Sequence, residues 1–450
     1  MPLRFRYGAY LSKEQVAELV APHPDTLELV NSWLEHHGIS LSSVSRTHGG
    51  GWLTVTNVPV SQANDLLGAS YQLYRHTGTN ETVTILRTVG YALPAALHAH
   101  VQAVVPTTYF NSPRMLQQTP RKRSRGETAV TKNATSGKLV TVLSRRNNDD
   151  DDDDDDEVDP PFLRWLYKTT AYVPAATDNN MLGVVGYDDS YPNQADLKTF
   201  MNEFSDSAEA AIYKVAQVNG GGNDPSDPGD EATVNIQYTT AMAHPTPLTF
   251  YSTGGHLAIW KNEPAPGDGF LEWLNYILNE QKIPQTISIP YGNEELYLPL
   301  EYATTLCDLF AQLGSRGVSV LFSSGDDGVG RGNCIDKSGK VQFHLLFPAS
   351  CARGIYFSLQ PTHKRTNRLP DRHVFAGPYV TSVGGTTGGT TDLKPESAAP
   401  LSQGGFSLHF ARPSYQDGVV TTFLQNLGSK YSGLYKYARC RDPTRPILTL

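Results

Sequence analysis

Val318-Ser319-Val320-Leu321-Phe322-Ser323-Ser324-Gly325-Asp326-Asp327-Gly328-Val329-Gly330 joins an apolar run to a glycine-rich loop. The run reads as a buried strand, bounded by glycines. In an open α/β sheet, ligands bind beyond the carboxyl ends of such strands. A glycine-rich loop there lets backbone approach a substrate, with Asp326 at its mouth. The plain alternative is a tight turn whose aspartates bond their own backbone. The rest of the chain weighs between the two.

Around this stretch, strands alternate with helices. Leu182–Tyr187 and Thr286–Ile289 read as strands. Gln194–Phe204, Glu231–Ala243, Phe270–Leu278 and Leu296–Leu313 read as helices. That alternation predicts an α/β fold, a mostly parallel sheet with helices on both faces. Residues 1–110 read as a separate small α/β domain. Ser12 caps a helix over Lys13–Val20, with Gln15 placed for a capping box. Asp25–His37 presents Leu27, Val30, Trp33 and Leu34 on one face, and Gly38 stops it. Trp52–Val58 and Val83–Leu86 alternate like strands, with a short helix at Ser61–Leu67 between them.

Residues 111–157 read as a disordered linker. They hold the basic cluster Arg121-Lys122-Arg123-Ser124-Arg125, then Arg145-Arg146, then the aspartate run Asp149–Asp156. Such composition buries little apolar surface. No aromatic residues interleave the basic cluster, so a solvated linker outweighs nucleic-acid binding. Consecutive aspartates on a flexible chain build no fixed calcium cage. The formal charge of −8 equals that aspartate run, so global charge names no partner. No stretch is long and apolar enough to span a membrane.

The 450 residues contain four cysteines, Cys307, Cys334, Cys351 and Cys440, with no C-x-x-C pair. A thiolate zinc site is therefore not expected. Cys334 and Cys351 flank one short segment, which makes them the expected disulfide. Asn80 and Asn133 lie in glycosylation sequons. Both hints favour an oxidising, secretory setting. The opening Met1–Arg6 shows no apolar signal region, so no signal peptide is expected in this sequence.

Glu231 and Asn235 stand at i and i+4 of a predicted helix, one turn apart on one face. Alone, this pair reads as an ordinary polar helix face. In company it resembles something more specific. Glu231–Tyr238 (EATVNIQY) resembles the E-A-x-L-D-x-Q-Y helix of the sedolisin family, the serine-carboxyl peptidases. Ser323–Gly330 resembles that family's S-G-D-x-G-x-G loop. Leu163–Thr169 (LRWLYKT), Tyr172–Thr177 (YVPAAT), Phe347–Cys351 (FPASC), Pro378–Thr387 (PYVTSVGGTT) and Gly404–Tyr415 (GGFSLHFARPSY) are similar to segments of its secreted fungal tripeptidyl peptidases. Arg6-Tyr7-Gly8 and Leu11-Ser12-Lys13 resemble its propeptide.

The resemblance implies a subtilisin-like fold and acid-active peptide hydrolysis. It carries Glu231 onto the general base and Asp326 onto the aspartate that donates to the oxyanion. The position of the orienting aspartate is Asn235. An amide neither carries charge nor shares a proton with Glu231. The family's serine lies in a G-T-S-A segment, and these 450 residues contain none. The match runs over about 158–435 as an incomplete peptidase domain, with 436–450 off-pattern. The family's calcium loop lies beyond the matching region, so no calcium site is expected in this chain. Residues 352–377 interrupt the pattern, as an inserted loop or a retained intron. The implied partners are peptide or protein substrates and the chain's own propeptide as an intramolecular inhibitor. A secreted monomer, binding neither nucleic acid nor membrane, is expected. Two functions follow: a tripeptidyl or endo-acting peptidase, or a non-catalytic relative that holds peptides or a partner peptidase.

Overall fold

The structure is a computed structural model. It describes residues 8–75, 84–110, 114–115, 158–175, 180–187, 189–204, 211–254, 269–326, 328–329, 343, 345–351, 379–387 and 396–429. The sequons at Asn80 and Asn133, the basic and acidic runs, Cys334, residues 352–377 and the tail 436–450 lie outside them.

The amino-terminal unit begins with α1 (Lys13–Val20). Its capping box forms: the Ser12 hydroxyl accepts from the Gln15 N–H at 3.2 Å, and Gln15 Oε1 accepts from the Ser12 N–H at 2.8 Å. A proline at its first position opens α2 (Pro24–His36), where the absent N–H costs nothing. Then come β1 (Val44–Arg46), β2 (Leu53–Val55), α3 (Val60–Leu67), β3 (Gln72–Arg75) and β4 (Thr84–Arg87). The strands form two antiparallel pairs, β1 with β2 and β3 with β4. The strand expected over Trp52–Val58 is shorter, because Asn57 takes a left-handed φ of 60° and Pro59 follows. Val30, Leu34, Ile39 and Leu97 form this unit's core.

The strand β5 (Arg114–Met115) precedes the second unit. There follow α4 (Pro160–Leu166), β6 (Leu182–Gly186), α5 (Gln194–Phe204), β7 (Tyr213–Val218), α6 (Asp230–Ala243), β8 (Leu248–Thr253), α7 (Gly269–Asn279), β9 (Thr286–Ile289) and β10 (Tyr291–Glu294). The chain continues through α8 (Leu300–Ser315), β11 (Ser319–Ser323), β12 (Leu346–Phe347), β13 (Thr381–Val383), β14 (Thr386–Thr387), β15 (Ser397–Ala398) and α9 (Asp417–Leu427). Six strands make one sheet in the order β13-β11-β9-β6-β8-β7. Every neighbouring pair in it is parallel.

Helices cover both faces, as an all-parallel sheet requires. Side chains alternate along each strand, so Val184 and Val185 point opposite ways. Val184 and Phe250 join Leu197, Phe200 and Met201 of α5 and Ile236 of α6. Val185, Ile287, Ile289 and Phe322 join Trp273 and Leu274 of α7 and Leu306 and Phe310 of α8. The helix expected from Leu296 starts only at Leu300. Pro299 holds Leu298 extended at φ −90°, ψ 133°, and a single 3-10 turn occupies Glu295–Tyr297.

The cysteine pairing differs from the expected one. Cys351 bonds Cys307 of α8, with 5.3 Å between Cα atoms. Cys334 is the nearer partner in sequence, but folding brings α8 against the 347–351 turn and decides the pair.

The two units touch along one flank of the sheet. The Leu11 N–H donates to the Ser315 carbonyl at 2.9 Å. Gln281 Nε2 donates to Glu14 Oε1 at 2.8 Å, and Tyr109 stacks on Tyr302 with ring centres 5.1 Å apart. β5 pairs antiparallel with β10. A cavity of about 540 Å³ lies between α1 and α7–α8; none of the candidate catalytic residues line it.

Candidate active site

The sheet order reverses about β6. Chain growth runs one way to β8 and β7, and the other way to β9, β11 and β13. Beyond the carboxyl ends of such strands lies the crevice where α/β sheets bind ligands. Two of the predicted residues enter it from either side: Glu231 from the first turn of α6, which follows β7, and Asp326 from the loop after β11.

The start of α6 is fixed by close packing. Gly229 is its N-cap and offers no side-chain cap. A Cβ there would stand 2.0 Å from the Ser190 Oγ, and the Gly229 N–H donates to the Tyr191 carbonyl at 2.9 Å. The tyrosine ring is tied in turn, its hydroxyl donating to Asp189 Oδ1 at 2.7 Å. Burial, with that bond, pushes the Tyr191 hydroxyl up to about 12.

Glu231 is half-buried in this first turn. Asn235 Nδ2 donates to its Oε1 at 2.9 Å, from one turn along the helix. Burial pushes the Glu231 carboxyl above its ordinary range. The Asn235 bond pulls it down, and the Asp326 charge across the crevice pushes it up again. Glu231 and Asp326 are therefore electrostatic neighbours, although 95 residues apart in the numbering of the chain. Among the described residues, no serine hydroxyl donates to the Glu231 carboxylate.

Asp326 sits where the backbone must turn sharply. Gly325 takes φ 113° and Gly328 takes φ 70°, a region that side-chain-bearing residues rarely adopt. The Ser324 N–H donates to the Val383 carbonyl at 2.9 Å and the Gly328 N–H to the Leu401 carbonyl at 2.7 Å. The loop closes one side of a cavity of about 380 Å³ at the ends of β9, β11 and β13. Ser288, Pro290, Ser324, Asp326, Val383 and Gly384 are among its lining residues. A carboxyl at such a rim donates a hydrogen bond when protonated and accepts one when ionised.

Sequence reasoning did not single out two residues that hold this loop. Gln403 is buried and packs on Gly325: a Cβ at Gly325 would stand 2.3 Å from the Gln403 Cδ. Glu295, fully buried, fastens the segment just beyond Gln403. The signal lay in the Gly404–Tyr415 motif, which carried no role until its contacts were seen. Among the described residues, no group of three or more His, Cys, Asp and Glu side chains is placed to hold a metal. Nor is any described helix long and apolar enough to cross a membrane.

Residues 2–110 match the family model "Pro-kumamolisin, activation domain". Over 448 residues the chain is 32% identical to tripeptidyl-peptidase SED2 of Arthroderma otae, spanning 96% of this chain and 67% of that protein. It is also 32% identical to a probable tripeptidyl-peptidase SED2 of Arthroderma benhamiae over 446 residues, with the same coverage. Tripeptidyl-peptidase SED3 of Arthroderma otae is 29% identical over 445 residues, 96% of this chain and 66% of its own length. The chain thus spans about two thirds of these relatives. Among solved structures, Pseudomonas sedolisin complexed with two molecules of pseudo-iodotyrostatin aligns with TM-score 0.39 and 16% identity, over 58% of this chain and 66% of that one.

Proposed function

This chain belongs to the sedolisin family, and from that premise we propose that its cleft receives peptide amino termini at acid pH as a serine-carboxyl tripeptidyl peptidase does, and that these 450 residues hold the peptide without turning it over. In this reading Glu231 is the general base. Asp326, protonated, donates to the oxyanion of the tetrahedral intermediate. Asn235 stands where an aspartate would orient Glu231 and share its proton.

The observation that carries the reading is the bond from Asn235 Nδ2 to Glu231 Oε1 at 2.9 Å, with Asp326 near enough to raise the same carboxyl. An amide donor favours the ionised carboxylate and orients it. It cannot take up the proton that Glu231 would pass on. Loss of the orienting carboxylate in a serine triad costs on the order of 10⁴ in rate, and a comparable loss is the expectation here. No nucleophile is assigned, since no Gly-Thr-Ser-Ala occurs in the sequence. The same geometry therefore supports a second reading, a non-catalytic relative that holds peptides. The amino-terminal unit acts as intramolecular inhibitor. The Cys307–Cys351 disulfide supports a secretory location, since such bonds persist in oxidising compartments.

The test uses the 450-residue chain cleaved in its linker, at about pH 4, near ordinary carboxyl values. Peptide binding is followed by fluorescence anisotropy and turnover with tripeptidyl anilides. The expected result is saturable binding, weakened by Asp326→Ala, with no measurable turnover. Turnover that Glu231→Gln abolishes would establish the hydrolytic reading over the non-catalytic one. No binding by wild type, once gel filtration has removed the amino-terminal unit, would overturn both.

A further inference from the structure

The segment Gly404–Tyr415 has no part in the chemistry just described, yet it is tied at one end to the Asp326 loop. At its other end stands Glu295, with no accessible surface at all. Both carboxylate oxygens of Glu295 are engaged. The Ser407 hydroxyl donates to Oε1 at 2.5 Å, and the Leu408 N–H donates to Oε2. The Ser407 oxygen itself accepts from the His409 N–H at 3.1 Å and from the Phe410 N–H at 2.9 Å. His409 Nε2 lies 2.8 Å from the Leu298 carbonyl and 3.0 Å from that of Glu295. Residues 407–410 are thus wrapped around one carboxylate.

Four residues before Ser407, Gln403 lies against Gly325, and the Leu401 carbonyl receives the Gly328 N–H. One short length of chain therefore spans from Glu295 to both glycines that flank Asp326. On its own side Glu295 is fixed as well. It begins the turn that follows β10, and its N–H donates to the Leu345 carbonyl at 3.2 Å.

We propose that Glu295 is a positioning residue for the Asp326 loop, acting through Ser407 and Gln403. Stability alone is a poor reason for this carboxylate. Burying a charge costs several kcal/mol, and apolar residues of similar volume often serve stability better. What an apolar residue cannot do is accept two directed hydrogen bonds from consecutive residues of another segment. Burial raises the Glu295 carboxyl and the neighbouring His409 lowers it, which fits a group held by directed bonds in a dry site. The proposal rests on the reading of Asp326 as oxyanion donor only for its catalytic consequence.

The experiment is amide hydrogen exchange on the full chain, which needs no turnover and so fails or succeeds separately from the peptidase reading. Glu295→Gln leaves one acceptor oxygen for two donors, the Ser407 hydroxyl and the Leu408 N–H. Exchange at Ser324 and Gly328, whose N–H groups are bonded to Val383 and Leu401, is expected to rise about tenfold or more, the scale of a lost bond to a charged group. Amides of β6 and β8 are expected to change far less. Should Glu295→Gln not fold, Ser407→Ala removes one of the two bonds and is expected to give the same pattern, weaker. Gln403→Ala is expected to free the amides after β11 while leaving Leu408 protected. An unchanged loop, or a rise equal across loop and sheet, would overturn the proposal, since a purely structural role loosens the whole unit together.

Discussion

Asn235 donates to Glu231 across one turn of α6, at 2.9 Å, and lowers the titration that burial raises in that carboxyl. Replacing the amide by a carboxyl removes the donor and adds a like charge. Asn235→Asp is therefore expected to raise Glu231 further and to give a pair that titrates in two macroscopic steps. Carbon-detected NMR of the glutamate side chains measures this; a single unshifted titration would contradict it.

The same carboxyl makes stability depend on pH with a definite sign. Its folded value lies above the ordinary 4.5, with burial the main cause. Between 4.5 and that raised value the folded chain binds more protons than the unfolded one. Its stabilisation is therefore complete below 4.5 and lost as pH rises through the folded value. Relative to Glu231→Gln, wild type is expected to lose about 1.4 kcal/mol per unit of separation between the two values. Urea unfolding of both proteins at pH 4 and pH 7 provides the comparison, and a difference independent of pH would contradict it.

Much of this fold was legible because its signals are local. Ser12 and Gln15 announced α1 by a capping box four residues long, and the run ending at Phe322 announced β11. Glu231 and Asn235 needed only helical spacing to share a face. Contacts made across long stretches of chain were not legible. Ser407 meets Glu295 over a separation of 112 residues, and no local pattern marks either as the other's partner. Cys307 sits mid-helix in α8, where nothing in the sequence points to a bond 44 residues on. The helix expected from Leu296 begins only at Leu300, because Pro299 disfavours helical backbone at the residue before it.

That disulfide crosses from α8 to the turn that ends beside Glu295. Closing a loop of this length restricts the unfolded chain by about 4 kcal/mol in the chain-entropy view. The double variant Cys307→Ala, Cys351→Ala is expected to lose about 2–4 kcal/mol by urea unfolding. Cys334→Ala is expected to leave the Cys307–Cys351 peptide intact in non-reducing mass spectrometry. A peptide linking Cys334 to Cys307 or Cys351 would contradict the pairing.

Glu14 joins the amino-terminal unit to the loop after α7. The Gln281 bond first, then Glu14's own backbone and Ser12, bring its carboxyl from 4.5 down to about 2. A depressed value means the contact is at full strength above 4.5 and is lost as pH falls through about 2. Acidification to about pH 5 is thus expected to leave this clasp closed. After cleavage of the chain within residues 121–125, Glu14→Gln is expected to weaken retention of the unit a few-fold, as an exposed contact does. The factor should be equal at pH 7 and pH 5.5 and shrink below about 4.5, the unperturbed carboxyl value. Gel filtration of the cleaved proteins across that range reads it; a factor already lost at pH 5.5 would contradict the assignment.

Gly325, the residue before Asp326, is constrained in two separable ways. Its φ of 113° disfavours any side chain, and a Cβ would meet the Gln403 Cδ at 2.3 Å. The first constraint is local and costs about 1–3 kcal/mol. The second adds about 1–3 kcal/mol of overpacking, because Gln403 is buried and has little room to withdraw. Gly325→Ala is therefore expected to destabilise by about 2–6 kcal/mol in all. Shortening Gln403 to alanine relieves only the steric part. In the double-mutant cycle the pair should couple by about 1–3 kcal/mol in the favourable sense. The backbone cost should persist whatever stands at position 403. Additive losses by urea unfolding would mean that Gln403 does not rest on Gly325, and the route by which Glu295 reaches Asp326 would be broken at that point.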